Sequence, residues 1–145
     1  MTSTETNRNL KIEFYLLING VTFTLLSVLL GAFAAHGLEK LVDARAIASF
    51  NTGVRYQMYH GLALILLANI PQIASTTKKR VGMFFWIGTI LFSVSIYLLS
   101  IDELLSFSFK KIAWITPVGG LLLIIGWAYL LLILIKNLKR NDKTS

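Results

Sequence analysis

The stretch FYLLINGVTFTLLSVLLGAFAA, residues 14–35, decides the fold, because it contains no charged residue from one end to the other. The hydrocarbon core of a bilayer is about 30 Å thick, and an α-helix needs about 20 residues to cross it. Backbone N–H and C=O groups must be paired inside lipid, so a segment that crosses it is helical. We therefore predict that this stretch is a transmembrane helix.

Three segments further along the chain extend this interpretation. The ranges 81–101 and 112–135 are also free of charged residues. The range 54–74 is less apolar, with Arg55 near its start and Pro71 near its end. We predict four transmembrane helices, which makes the chain an all-α integral membrane protein.

The composition indicates a single membrane domain over residues 1–145, with polar tails at 1–9 and 138–145. Charged residues make up 14% of the chain, whereas a soluble domain has about 25%. The chain has no cysteine, which excludes disulfides and thiolate metal ligands. Its net charge of +7 comes from basic residues that flank the apolar runs. The sequence between these runs is too short to form a soluble domain that could bind a nucleic-acid duplex. We therefore expect the lipid bilayer as the partner, and no nucleic acid.

The positive-inside rule predicts the side on which the chain ends lie. Four spans place both termini on one side of the membrane, and nine of the fourteen Lys and Arg residues belong to that side. The nine are Arg8, Lys11, Lys78, Lys79, Arg80, Lys136, Lys139, Arg140 and Lys143. The five on the other side are Lys40, Arg45, Arg55, Lys110 and Lys111. We therefore predict a multi-pass protein of the inner (cytoplasmic) membrane with both termini in the cytoplasm.

The N-terminal segment also has features of a secretory signal peptide. Arg8 and Lys11 precede the apolar run, and the residues AFA at 32–34 match a cleavage motif of small residues. The apolar run is longer than the roughly 7–15 residues of such a peptide. We therefore favour a retained helix, with cleavage as the alternative.

Two residues are candidate helix caps. Asp43 can cap a short helix within residues 38–51 that lies on the outer surface of the membrane. Thr116 can cap the fourth span, because Pro117 behind it suits the first turn of a helix.

The second span carries a polar stripe in the sequence GVRYQMYHGLALILLANIP, residues 53–71. At 100° per residue, one arc holds Thr52 and four residues of this sequence, whereas Gln57, Met58 and Gly61 point elsewhere. Charged groups avoid lipid, so we predict that the stripe meets His36 of the first span. The candidate polar cluster, at the outer ends of the first two spans, is His36, Arg55, Tyr56, Tyr59 and His60.

In this cluster we expect Arg55 to contact His36 or a hydroxyl group of another span. The alternative is that Arg55 snorkels to the headgroups while Tyr56 and Tyr59 belong to an interfacial aromatic belt.

The sequence contains no recognisable set of catalytic or metal-binding residues. Two histidines fall short of the three or four protein ligands that zinc takes, so we expect no metal and no cofactor. No nucleophile is paired with a base and an orienting acid, and no two carboxylates lie within one span. We therefore expect a protein that is not an enzyme.

The third and fourth spans carry small and hydroxyl side chains at helical spacing. Such residues let helices approach closely and form hydrogen bonds between them. The candidate helix-packing residues are Ser93, Tyr97, Gly119 and Gly126.

Four segments, in this order, resemble the small bacterial inner-membrane proteins called domain of unknown function 423, which are related to the eukaryotic transmembrane protein 256. The segments are GAFAAHGL (31–38), FNTGVRYQMYHGLALI (50–65), LFSVSIYLL (91–99) and TPVGGLLLIIGW (116–127). The resemblance covers roughly residues 14–132 and implies four membrane helices but no activity. Ala34 and Val94 depart from it, since glycine is expected at both positions. The positions that match its motifs are His36, Arg55, Tyr56, Gln57, His60, Ser93, Tyr97, Thr116, Pro117, Gly119, Gly120, Gly126 and Trp127.

Three functions fit these expectations. The favoured one is a non-enzymatic accessory or lipid-interacting membrane protein, whose partners are the lipid bilayer and other membrane proteins or further copies of itself. The second is an oligomeric transporter or channel for a small solute or ion. The third is a membrane enzyme acting on lipid headgroups, in which Arg55 holds a phosphate and His36 or His60 moves a proton.

Overall fold

The computed structural model describes residues 3–105 and 108–141, and every regular element in this part of the chain is helical. A π-helical segment at Ile90–Val94 joins two of the helices into one continuous rod. Short 3-10 turns lie at Leu38–Lys40, Asp102–Leu104 and Lys110–Ile112. The α-helices are α1 (Ser3–His36), α2 (Ala44–Ala68), α3 (Ser75–Thr89), α4 (Ser95–Ser100) and α5 (Ile115–Asn141).

Helices α1 and α2 form an antiparallel hairpin with closely approaching backbones. A Cβ atom at Gly20 would lie 2.7 Å from the Gly61 carbonyl oxygen, and one at Gly61 would lie 3.0 Å from the Gly20 carbonyl oxygen. Only residues without a side chain fit on both sides of such a contact. Nearer the α1–α2 connection, Ala34, Leu38 and Phe50 form a small buried cluster.

The rod of α3, the π segment and α4 packs against α5 in a second antiparallel pair. A Cβ atom at Gly119 would overlap the backbone of Phe92, and one at Gly126 would lie 2.8 Å from the ring of Phe85. The two pairs meet where α2 contacts α3, the π segment and α4. The main core lies at this junction and includes Leu64, Leu67, Val81, Phe85 and Leu123.

One end of the bundle holds the start of α1, the end of α5 and the α2–α3 connection, and is called the terminal end. The opposite end holds the α1–α2 and α4–α5 connections, and is called the far end.

The outer surface of the bundle is apolar. Large hydrophobic side chains such as Phe14, Leu25, Ile124 and Leu132 are each more than half exposed. Three helical segments are long and apolar enough to cross a membrane: Ser3–Lys40, Ser75–Ser100 and Lys110–Arg140. Such surfaces are suited to lipid rather than water. The chain is an all-helical membrane protein.

The second predicted span has different bounds in the structure. Helix α2 begins at Ala44, ten residues before position 54, and it ends at Ala68, so the expectation of helix as far as 74 is wrong. Asp43 caps this longer helix, with its carboxylate accepting a hydrogen bond from the Ala46 amide at 2.7 Å. The prediction of a short separate helix within 38–51 is therefore wrong, because residues 44–51 form the first turns of α2. Helix α2 ends where it does because a proline follows at position 71.

Thr116 also differs from its prediction. It lies inside α5, which begins at Ile115, and does not precede the helix as a cap. Its hydroxyl oxygen lies 2.7 Å from that of Ser95 in α4. Thr116 therefore joins two helices near the far end.

Candidate functional site

The polar centre of the bundle is Gln57, which faces inward from α2 and is 5% exposed. Its amide nitrogen donates to the Phe23 carbonyl of α1 at 3.1 Å. Its amide oxygen accepts a hydrogen bond from the Tyr97 hydroxyl of α4 at 2.9 Å. A buried amide is stable only when its polar atoms are paired. Gln57 thus connects three helices.

The π segment directs two serines toward different neighbours. Ser93, within the segment, donates to the Gly53 carbonyl of α2 at 2.9 Å. Ser95, directly after it, donates to the Leu91 carbonyl of its own rod at 2.6 Å and contacts Thr116 of α5. A π segment inserts one extra residue into the helical repeat and so shifts the phase of the side chains that follow. This shift gives one rod a polar contact with each neighbour.

His60 is buried, with 4% of its surface exposed, and both of its ring nitrogens are hydrogen-bonded. Nδ1 lies 2.8 Å from the Tyr56 carbonyl, which can only accept. Nε2 accepts from the indole N–H of Trp127 in α5 at 3.2 Å. This arrangement assigns a neutral imidazole with its proton on Nδ1. His60 acts here as a link between α2 and α5.

An ion pair lies at the terminal end of the bundle. Lys78 of α3 is 3% exposed, and its ammonium donates to the Glu13 carboxylate of α1 at 2.6 Å. The same ammonium donates to the Ala68 carbonyl, which is at the last residue of α2, at 2.7 Å. A cation at a helix C-terminus satisfies an unpaired carbonyl and complements the helix dipole. Lys78 therefore joins α1, α2 and α3.

One buried polar atom in the described part of the chain lacks a partner. It is the Thr89 hydroxyl, at the junction of α3 and the π segment. We have no physical account of it.

The predicted polar cluster is only partly assembled in the structure. The rings of Tyr56, Tyr59 and His60 lie together, with centroids of Tyr56 about 6 Å from each of the other two. Arg55 is exposed and donates to the Thr52 hydroxyl of its own helix at 3.1 Å, so the expected contact with another span is wrong. His36 is exposed at the end of α1. His60 of the predicted cluster lies inside the bundle, and so does Gln57, the side chain expected to point elsewhere.

The predicted helix-packing residues all lie at contacts between helices. Ser93 and Tyr97 bond to α2, and Gly119 and Gly126 lie against the α3–π rod. The described residues include no group of three His, Asp or Glu side chains placed to hold a metal.

Sequence reasoning assigned no role inside the bundle to Glu13, Lys78 or Trp127. Glu13 lies just before the uncharged run 14–35, and Lys78 lies just before the uncharged run 81–101. Both positions predict charges exposed at the membrane surface. A signal was present, because the first and third spans both start at the same end of a four-helix bundle, and opposite charges there can pair.

Comparison with known proteins gives a consistent result. The family model described as "Protein of unknown function (DUF423)" matches residues 30–120. A UPF0382 membrane protein of Staphylococcus haemolyticus is 37% identical over 80% of this chain and 91% of its own length. A UPF0382 membrane protein of Haemophilus influenzae is 42% identical over 69% of this chain and 77% of its own.

The UPF0382 inner membrane protein YgdD of Escherichia coli is 36% identical over 81% of this chain and 86% of its own length. No solved structure matches the chain.

Proposed function

The chain belongs to the DUF423 family of membrane proteins. We propose that it is a non-enzymatic protein of the cytoplasmic membrane that acts through contacts with lipid and with partner helices. In this proposal the chain crosses the bilayer four times. Its polar interior holds the helices together and carries out no chemistry.

The four-span arrangement is supported by the length and position of α2. This helix lies beside α1 from Phe50 near the far end to Ala68, which meets Glu13 through Lys78 at the terminal end. At about 1.5 Å per residue, its 25 residues extend over about 37 Å. That length exceeds the hydrocarbon core of about 30 Å. Two of the polar residues that make α2 less apolar than the other spans, Gln57 and His60, pair inside the bundle.

The proposed orientation puts the terminal end in the cytoplasm. Nine of the fourteen Lys and Arg residues flank this end, which favours the cytoplasmic side by the positive-inside rule. The Escherichia coli relative is named an inner membrane protein, which supports the cytoplasmic membrane as the location.

The observation that carries the functional proposal is the pairing of polar side chains between helices. Gln57, Ser93 and His60 each bond to a group on a different helix. A solute pathway needs polar groups that are free to exchange partners with the solute, and these three side chains are engaged in holding the helices. The pairing of these side chains therefore supports a protein that acts through contacts with lipid and partner helices over one that conducts a solute.

Reconstitution tests this proposal against transport. The protein is purified in mild detergent, and its mass is measured before it is inserted into vesicles loaded with a potassium-sensitive or a proton-sensitive dye. We expect flux equal to that of empty vesicles. Flux above that level, abolished by Gln57→Leu and unchanged by Tyr59→Leu on the exposed face of α2, would establish the transporter in place of the proposal.

A further inference from the structure

A basic groove lies at the terminal end between α1 and α3. Its volume is about 900 Å³, and Leu64 of α2 contributes to its lining. Arg8 and Lys11 line it from α1, and Lys79 and Arg80 line it from α3. These four cations, together with the apolar wall that continues below them, are called the basic groove.

The charge of the basic groove is uncompensated by its own lining. The lining residues that the structure describes include no carboxylate. Glu13, directly after the lining residue Ile12 on α1, is paired with Lys78, which does not line the groove. The groove therefore presents a concentrated positive charge to any ligand that enters it.

Below the cations the groove becomes apolar. Tyr15, Met83 and Trp86 line it and are 66%, 52% and 42% exposed. The α1 residues of the lining run from Arg8 to Asn19, a rise of about 16 Å along the helix. One leaflet of the hydrocarbon core is about 15 Å deep. The groove thus has a cationic mouth and an apolar part below it, and the two together are about as long as one leaflet is deep.

We propose that the basic groove is a binding site for an anionic phospholipid. The headgroup phosphate contacts Arg8, Lys11 and Lys79, and one acyl chain lies along Tyr15, Met83 and Trp86. Arg80, whose guanidinium donates to the Tyr129 hydroxyl of α5 at 3.5 Å, adds positive charge beside the phosphate. A zwitterionic lipid offers the same phosphate but adds an ammonium, which the four cations repel. A lipid with two phosphates, such as cardiolipin, makes the fullest use of four cations. This inference rests on the proposed lipid-interacting function and names the lipid class that it concerns.

Native mass spectrometry of the whole chain in mild detergent tests the site directly. Cardiolipin, phosphatidylglycerol and phosphatidylethanolamine are titrated separately, and the bound fraction is measured. We expect the first two to bind and phosphatidylethanolamine to bind at least tenfold more weakly. Removing two cations with Lys11→Gln and Lys79→Gln should weaken binding of the anionic lipids about 30-fold, because each basic residue near a membrane surface contributes about a 5-fold attraction.

The control carries the same charge change at the far end. Lys110→Gln and Lys111→Gln also remove two exposed cations and should change lipid binding less than twofold. A second pair of variants tests the apolar part of the basic groove without any change of charge. Met83→Trp fills the groove and should reduce binding, whereas Leu132→Trp on the exposed face of α5 should not.

Three results would overturn the inference. Equal binding of phosphatidylethanolamine would mean that the protein does not select anionic lipids. Equal loss of binding in the two lysine double variants would mean that the attraction is not located in the basic groove. A dimer that Met83→Trp converts to monomer would mean that a second copy occupies it. Solute flux in the vesicle assay would defeat the proposed function while leaving lipid selectivity measurable, so the two failures are distinguishable.

Discussion

Helix α2 has two polar faces, and they have opposite environments. One face carries Arg55 and Tyr59 and is exposed on the surface of the bundle. The other face carries Gly53, Gln57 and Gly61 and is buried against α1 and against the rod of α3, the π segment and α4. Charge alone assigns the first face to the interior, because lipid disfavours an arginine more strongly than an amide. The structure shows the reverse for Arg55, which is exposed, and for Gln57, which is buried.

The difference between the two faces follows from the reach of the side chains. Arg55 is long, and its guanidinium turns back toward the far end of the bundle, where it bonds Thr52 one turn away. A long cationic side chain can thus stay near the membrane surface while its stem contacts lipid. Gln57 is short and cannot reach the surface, so its amide must be paired where it lies. Reach, more than charge, decides which polar residue is placed inside.

The largest effect is expected at Gly61, where the two helices touch. Gly61→Ala places a methyl group 2.7 Å from the Thr24 hydroxyl and 3.0 Å from the Gly20 carbonyl oxygen, so the backbones must separate. We expect the free energy of unfolding in mixed micelles to fall by about 1–3 kcal/mol. Gly31→Ala on α1 is the matched control, since its Cβ would meet only Val54, at 3.5 Å. Equal stability of the two variants would show that α1 and α2 are less closely packed than described.

A smaller loss is expected from Gln57→Leu, which removes the hydrogen bonds to Phe23 and Tyr97. Interhelical hydrogen bonds in membrane proteins contribute about 0.6 kcal/mol each. The free energy of unfolding should therefore fall by about 1 kcal/mol. Tyr97→Phe, alone and combined with Gln57→Leu, completes a double-mutant cycle. Strict additivity of the two losses would argue against the Gln57–Tyr97 contact.

The smallest effect is expected on the exposed face. Arg55→Gln removes a charge whose hydrogen-bond partner, within the part of the chain that the structure describes, is a threonine of the same helix. Exposed substitutions of this kind usually change stability by less than about 0.5 kcal/mol. The same unfolding titration measures it beside Gln57→Leu. A loss larger than that of Gln57→Leu would reverse the assignment of the two faces.

The sequence was sufficient for the helical class, because uncharged runs of membrane-spanning length allow no other backbone. The cap at Asp43 followed from its side-chain chemistry. The start of α2 at Ala44 could not be predicted, because the residues that follow Asp43 are too polar to resemble part of a membrane span. In the structure they are continuous with the rest of the helix. The burial of Gln57 and the Lys78 ion pair depends on which helices are neighbours. That information lies in tertiary packing and not in the periodicity of one segment.

The crossing of the membrane by α2 underlies the account of both faces, and labelling at its two ends tests it most directly. The chain has no native cysteine, so Lys40→Cys and Lys79→Cys each introduce a single reactive thiol, one before α2 and one after it. We predict that an impermeant maleimide labels Lys40→Cys in intact cells and labels Lys79→Cys only after permeabilisation. Labelling of both positions from the same side would mean that α2 does not cross the membrane, and would contradict the four-span bundle.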